Sequence, residues 1–111
     1  MSKVTISEPY VVGEKPSPLV YQFLDSNGTA INITGYTAKF QWQERDGAAT
    51  SASATVSDGP NGKAQYTFTG NEFSTAGHYR AQFWVGNGTN RYASVDIVFT
   101  VVLPVGTAPS I

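Results

Sequence analysis

The sequence predicts an all-β domain, an antiparallel β-sandwich of about 7–9 strands joined in Greek-key order. Three observations predict it. The stretch Phe73 to Val85, FSTAGHYRAQFWV, alternates strictly: Tyr79, Ala81, Phe83 and Val85 share one face, and His78, Arg80, Gln82 and Trp84 the other. Upstream, Tyr36, Ala38, Phe40 and Trp42 alternate in the same way and supply an aromatic partner strand. Between these runs, turn residues recur at about 8–12-residue intervals, and no stretch longer than a turn has a period near 3.6.

Taken in order, Lys3 to Ser7 alternates as a first strand with Val4 and Ile6 inward, and Glu8-Pro9 interrupts it. Tyr10-Val11-Val12 is expected to resume pairing on another edge. Gly13 to Pro18 is a turn segment whose prolines cannot donate to a ladder, which assigns it to a sheet edge. Leu19 to Asp25 is the next strand, with Leu19, Tyr21 and Phe23 inward and Val20 and Leu24 outward. After the turn Asp25-Ser26-Asn27-Gly28, a short extended piece carries Ile31 and Ile33. Gly35 releases the chain into the strand Tyr36 to Glu44, where Trp42 is expected to be the buried aromatic, and Asp46-Gly47 ends it.

Ala48 to Ala54 is small and polar, with nothing able to anchor a core, and reads as a loop with a weak, mobile edge strand. Asp58-Gly59-Pro60-Asn61-Gly62 is the strongest turn, because Asn-Gly suits the positive φ of tight hairpins. Lys63 to Thr69 follows with Ala64, Tyr66 and Phe68 inward. Gly70 to Gly77 makes a corner plugged by Phe73. Ala76-Gly77-His78-Tyr79 has the form of a tyrosine corner, in which a Tyr hydroxyl turns back onto upstream backbone and sets how the chain enters the sheet. Gly86-Asn87-Gly88-Thr89 leads into a last strand, Asn90 to Leu103, with Ala93, Val95, Ile97, Phe99 and Val101 on one face.

The corner makes the expected sandwich immunoglobulin-like. Ala81 stands where a disulfide-bearing relative of that fold places its second cysteine, and Tyr21 or Phe23 where the first would be. Aromatic bulk against a small residue replaces the bridge. Phe40, Trp42, Tyr66, Tyr79, Phe83 and Phe99 are the expected structural residues. The chain reads as one domain over 1–111, with a core at about 18–103, an N-terminal arm 1–17 and a C-terminal tail 104–111.

Composition excludes several classes. Of 111 residues, 41% are hydrophobic and 13% aromatic, too apolar for disorder, while only 14% are charged. The seven Lys and Arg are scattered in a chain of net charge −1, so no basic face is available for nucleic acid. The absence of cysteine favours an intracellular origin or a virion part assembled in cytoplasm. Met1-Ser2-Lys3-Val4 leads directly into strand-like alternation without an apolar signal segment, and no run approaches the roughly 18 apolar residues of a membrane helix. The chain is expected to be soluble.

Catalytic, metal and cofactor sites are not expected. His78 is the only histidine and reads as a solvent-side strand residue, and with no cysteine and a single histidine a zinc site is not expected. No nucleophile elbow is present. Asp25 to Thr29 has alternating oxygen ligands, but its glycine falls too early for a calcium loop and no acid closes it, so turn chemistry explains it. Three Asn-X-Thr matches, at Asn27, Asn32 and Asn87, read as accidental. Trp84 is different. It alternates onto the face opposite the core beside Arg80 and Gln82, with Gln41 and Gln43 near and the outward Val98 and Val102 extending the patch. Partner surfaces are enriched in Trp and Arg, which makes these the candidate docking residues; the alternatives for Trp84 are a ring packed under a loop or the tail and a solitary surface aromatic.

Leu19 to Gly28, Ile31-Asn32-Ile33-Thr34-Gly35, Ala38 to Trp42, Gly62 to Phe68, Ala76 to Phe83 and Ile97 to Val101 occur in an order that resembles the immunoglobulin-like N-terminal domain of bacteriophage baseplate upper proteins and related virion components. The resemblance spans about Pro18 to Val102. It implies no catalysis and no cofactor, and assembly on a tail, baseplate, neck or capsid surface as a homo-oligomer or symmetric array. Partners would be other virion proteins, with no nucleic acid and no membrane, and the location the virion after assembly in host cytoplasm. In the family the domain is followed by long fibre or receptor-binding segments. This chain ends at Ile111, so the implied role is the broader one of a small phage structural protein. The rival from another class is a carbohydrate- or cell-surface-binding module in which Trp84 with Tyr92 or Tyr10 would stack on sugar rings.

Overall fold

The computed structural model describes residues 4–6, 9–45 and 47–106. The inward side chain expected of Val4, the strand ends at Lys3 and Ser7, the interruption at Glu8, Asp46 and the tail beyond Gly106 lie outside the described residues. Among the described residues nine strands follow one another: β1 Val4–Thr5, β2 Tyr10–Val11, β3 Leu19–Gln22, β4 Thr37–Glu44, β5 Thr50–Asp58, β6 Lys63–Tyr66, β7 Gly77–Gly86, β8 Arg91–Ala93 and β9 Ile97–Val102. No helix occurs among the described residues, and so none is long and apolar enough to cross a membrane.

The strands pair in the order β1-β9-β7-β4-β5-β6-β3, with β2 also on β9 and β8 also on β7. The sheet curls so that its two ends face each other across the core. Phe40 on β4 stacks on Tyr66 of β6 at 4.4 Å, and Tyr21 on β3 stacks on Phe83 of β7 at 6.3 Å, although neither strand pair is hydrogen-bonded. The result is an all-β, sandwich-like domain. Phe23, Ile33, Phe40, Phe73, Tyr79, Phe83, Ile97 and Phe99 are buried in its middle, while Val20 and Leu24 point outward and are half exposed.

Five expectations are corrected. The sheet is mixed rather than antiparallel, because β1 and β2 both run parallel to β9. Parallel neighbours need a long connection, and most of the chain separates these strands from β9, so no hairpin constrains their direction. Tyr10 and Val11 therefore resume on the same edge as β1, opposite Val101 and Val102, rather than on another.

Of the segment expected to be a loop and weak edge strand, Ala48 and Ala49 are loop, but Thr50 to Ala54 lie in the middle of the sheet instead of at an edge. Thr50 to Ala54 pair with β4, and Thr55 to Asp58 pair with β6, with a register shift between Val56 and Asp58. Small residues are what this strand requires, since it carries the bend between the two faces. Ala52, Ala54 and Val56 supply modest inward contacts there. At the following turn Gly62 has φ +73°, and a Cβ would lie 2.6 Å from the Ile31 carbonyl oxygen.

The fully buried aromatic of β4 is Phe40, not Trp42. Phe40 sits opposite Phe83 in mid-sheet, whereas Trp42, opposite Ala81, lies nearer the rim and is only half buried. There its indole Nε1 finds an acceptor, the Glu72 carbonyl at 3.0 Å.

The last strand is broken into β8 and β9 by one extra residue. Ala93 lies opposite Trp84, but Ile97 lies opposite Ala81, so three residues of this strand face two of β7. The bulge flips the alternation: Ala93, expected inward with Ile97, faces out. Ser94 holds the irregularity. Its buried hydroxyl accepts from the Phe83 N–H at 2.9 Å and donates to the Val95 carbonyl at 2.9 Å.

Candidate functional site

Residues directly opposite one another on paired strands share a face of the sheet. Across β4, β7 and β8 this builds three outward rows: Thr37, Gly86 and Arg91; then Lys39, Trp84 and Ala93; then Gln41 and Gln82. On the other side of β4, Ser51 and Ser53 of β5 stand opposite Gln41 and Lys39. Gly86 has no side chain to place between Thr37 and Arg91, so the face sinks beside Trp84. The hollow is an open groove of ≈ 900 Å³, bordered by Thr37, Lys39, Gln41, Ser51, Arg91 and the turn Asn87 to Asn90. Trp84 is half buried in it, and its indole Nε1 is enclosed without a hydrogen-bond partner.

The other candidate docking residues are placed unevenly. Gln82 continues the Trp84 row and donates to the Ser94 carbonyl at 3.1 Å. Arg80 lies beyond it, its exposed guanidinium 3.6 Å from Asp96. Val98 is opposite Arg80, half buried, beside a second hollow that includes His78, Arg45 and Thr100. Val102 pairs with Val11 at the far end of β9 and does not join Trp84. His78 is exposed, and its carbonyl accepts the Arg45 N–H at 2.8 Å. Among the described residues no cluster of three His, Cys, Asp or Glu side chains could hold a metal ion.

The aromatic rings of the sugar-stacking alternative do not meet. Tyr92 is opposite the inward Val85 and stacks on Tyr36 at 6.3 Å. Tyr10 packs with Phe68, Phe73 and Phe99 in the core. Neither shares the face of Trp84.

Sequence reasoning missed Glu72. Its carboxylate is buried in the corner before β7 and accepts from the Tyr66 hydroxyl at 2.6 Å, the Thr69 N–H at 2.9 Å, the Thr69 hydroxyl at 3.0 Å and the Gly70 N–H at 3.1 Å. The available signal was Thr69-Gly70-Asn71-Glu72, a turn whose acid can fold back on its own backbone. Every acceptor site is used, so this carboxylate locks a corner and has no capacity left for chemistry. In the same corner the Tyr79 hydroxyl donates to the Thr75 carbonyl at 2.7 Å.

The chain matches the model of the BppU N-terminal domain over residues 22–104, from the end of β3 to just past β9. It belongs to that family. Its members are N-terminal domains of phage baseplate upper proteins, and this chain is accordingly a phage baseplate-associated structural domain. The matched span contains the Trp84 groove and the Glu72 corner. Among solved structures the domain is similar to the N-terminal domain of ORF48 of phage TP901-1, at 18% identity and a TM-score of 0.50, covering 91% of this chain and 93% of that one. That likeness concerns the fold. No curated protein matches the chain.

Proposed function

We propose that this BppU-type domain is a non-enzymatic assembly part of the virion. It docks onto other virion proteins through the outer face of β4, β7 and β8, with Trp84 as the anchor and Gln82 and Arg80 beside it. The family match over residues 22–104 carries the assembly role. The placement on the face is supported by Trp84 itself, a large ring set in an open groove away from the core with an unanswered N–H. Interfaces draw much of their energy from such rings when they become fully enclosed. The domain acts as one unit over 1–111, in copies arranged symmetrically on the particle, assembled in host cytoplasm without nucleic acid or membrane contacts.

The test is incorporation. Baseplates assembled without this domain are mixed with the wild type or with Trp84→Ala and sedimented, and folding is checked by circular dichroism. The wild type is expected to co-sediment and the folded variant to stay in the supernatant. A folded variant that co-sediments like wild type removes Trp84 as the anchor. A wild type that never co-sediments removes the docking role.

A further inference from the structure

The groove at Trp84 is cationic on both walls. Lys39 stands opposite Trp84 on β4, and Arg91 stands opposite Gly86 on β8, so the two charges flank the indole from opposite sides. No described residue bordering the groove is acidic. Among the described residues the one ion pair is Arg80 with Asp96, farther along β7, so neither cation is paired with a carboxylate. Among the described residues the one side-chain hydrogen bond of Lys39 is long, 3.5 Å to the Ser53 hydroxyl. The remaining border is polar, with the side chains of Thr37, Gln41 and Ser51. In a chain of net charge −1, this is a concentration of positive charge that the fold itself does not use.

The geometry points to an acidic, extended peptide segment of a partner protein as the occupant of this groove, its carboxylates between Lys39 and Arg91. This rests on the docking reading above and names the partner's chemistry. A groove running along β4 from Thr37 to Gln41 spans about 13 Å at roughly 3.3 Å per residue, which suits a strand-like segment. Both cations are exposed and flexible, and so can close on carboxylates without rearranging the sheet. Complementary charge of this kind selects the partner and steers its approach more than it adds affinity. An acidic sugar offers the same charge, but the second ring of the sugar-stacking alternative, Tyr92, packs against the core instead of lying beside Trp84.

Trp84 and Trp42 are the two tryptophans, so ¹⁵N-labelled protein has two indole N–H signals, and Trp84→Phe assigns them. Three capped peptides of about eight residues, long enough to overrun the groove, alternate Thr with Glu, Gln or Lys. The Glu peptide is expected to move the Trp84 signal and leave Trp42 in place, with binding that weakens as salt rises. Lys39→Glu with Arg91→Glu should weaken it about tenfold or more, as charge reversal turns attraction into repulsion. An unmoved Trp42 signal shows that this variant is folded, and Lys39→Gln with Arg91→Gln replaces it if it is not. No shift with the Glu peptide, equal shifts with the Gln or Lys peptide, or saturable shifts with a hyaluronan octasaccharide alone overturn the inference. Co-sedimentation of the charge-reversed variant separates the two readings. Undiminished incorporation overturns the acidic partner and leaves docking intact, whereas peptide binding by a wild type that never incorporates overturns docking alone.

Discussion

Tyr66 donates its hydroxyl to the buried carboxylate of Glu72 at 2.6 Å, and the Glu72 carbonyl in turn accepts the Trp42 indole N–H at 3.0 Å. One residue of the corner thus ties β4 to β6. Burial by itself pushes the Glu72 carboxyl up. The Tyr66 hydroxyl, with the backbone and hydroxyl of Thr69, outweighs it and holds the group below the ordinary carboxylate range. Burial, and then the hydrogen bond and charge of Glu72, push the Tyr66 hydroxyl well above its ordinary value.

Glu72→Gln should therefore be costly at neutral pH, by about 1.5–3 kcal/mol, the range for hydrogen bonds to a charged group. A depressed carboxyl contributes stability that is fully present above the unfolded value of about 4.3 and is lost as pH falls through the lower folded value. Urea midpoints measured across the acid range should show the gap between wild type and Glu72→Gln constant above about pH 5 and closing below it. A gap that keeps its size in acid would mean that the carboxylate's charge contributes nothing.

Tyr79 is buried at the start of β7, and its hydroxyl donates to the Thr75 carbonyl at 2.7 Å, within reach of the Thr75 hydroxyl at 3.2 Å. Tyr79→Phe keeps the ring and its stacking on Phe99 while removing that bond. The expected loss is about 0.5–1.5 kcal/mol, read from the denaturant midpoint at constant slope. An unchanged midpoint would show that the corner does not depend on the hydroxyl.

Phe40 and Trp42 should differ in the opposite sense to their sizes. Phe40 is wholly enclosed and touches the rings of Tyr66, Phe68 and Phe83, so Phe40→Ala is expected to cost about 3–5 kcal/mol. Trp42→Phe leaves an aromatic at the rim and loses one hydrogen bond, about 1 kcal/mol. Thermal unfolding of the two variants ranks them, and a Trp42→Phe protein less stable than Phe40→Ala would place the weight of the core at the rim.

Period-2 patterning made β3, β4, β6 and β7 legible, together with the inward sets Tyr21 and Phe23, Ala38 and Phe40, Ala64 and Tyr66, and Tyr79 to Val85. Alternation is a local property, imposed by the pleat on each strand separately. The same locality explains the misreading of β5. A run of Ala, Ser and Thr has no hydrophobic signal of its own, and it becomes a central strand because β4 and β6 offer it partners on both sides. Trp42 was misplaced for a related reason: alternation reports which face a side chain takes, not how far it lies from the rim.

The order of residues by itself determined the all-β class, the faces of the long strands, the corner at Tyr79 and the outward side of Trp84, because each depends on neighbours a few positions apart. Only the tertiary structure decided the parallel docking of β1 and β2 on β9, the bulge that turns Ala93 outward, the carboxylate cradle of Glu72 and the pairing of Lys39 with Arg91 across one groove. The docking of β1 and β2 and the groove join segments far apart in the chain, while the bulge and the cradle depend on how a strand or a side chain folds back across a turn. Such contacts are set by which edges and faces remain open once the local strands have formed, and a one-residue slip in any ladder would rearrange them all.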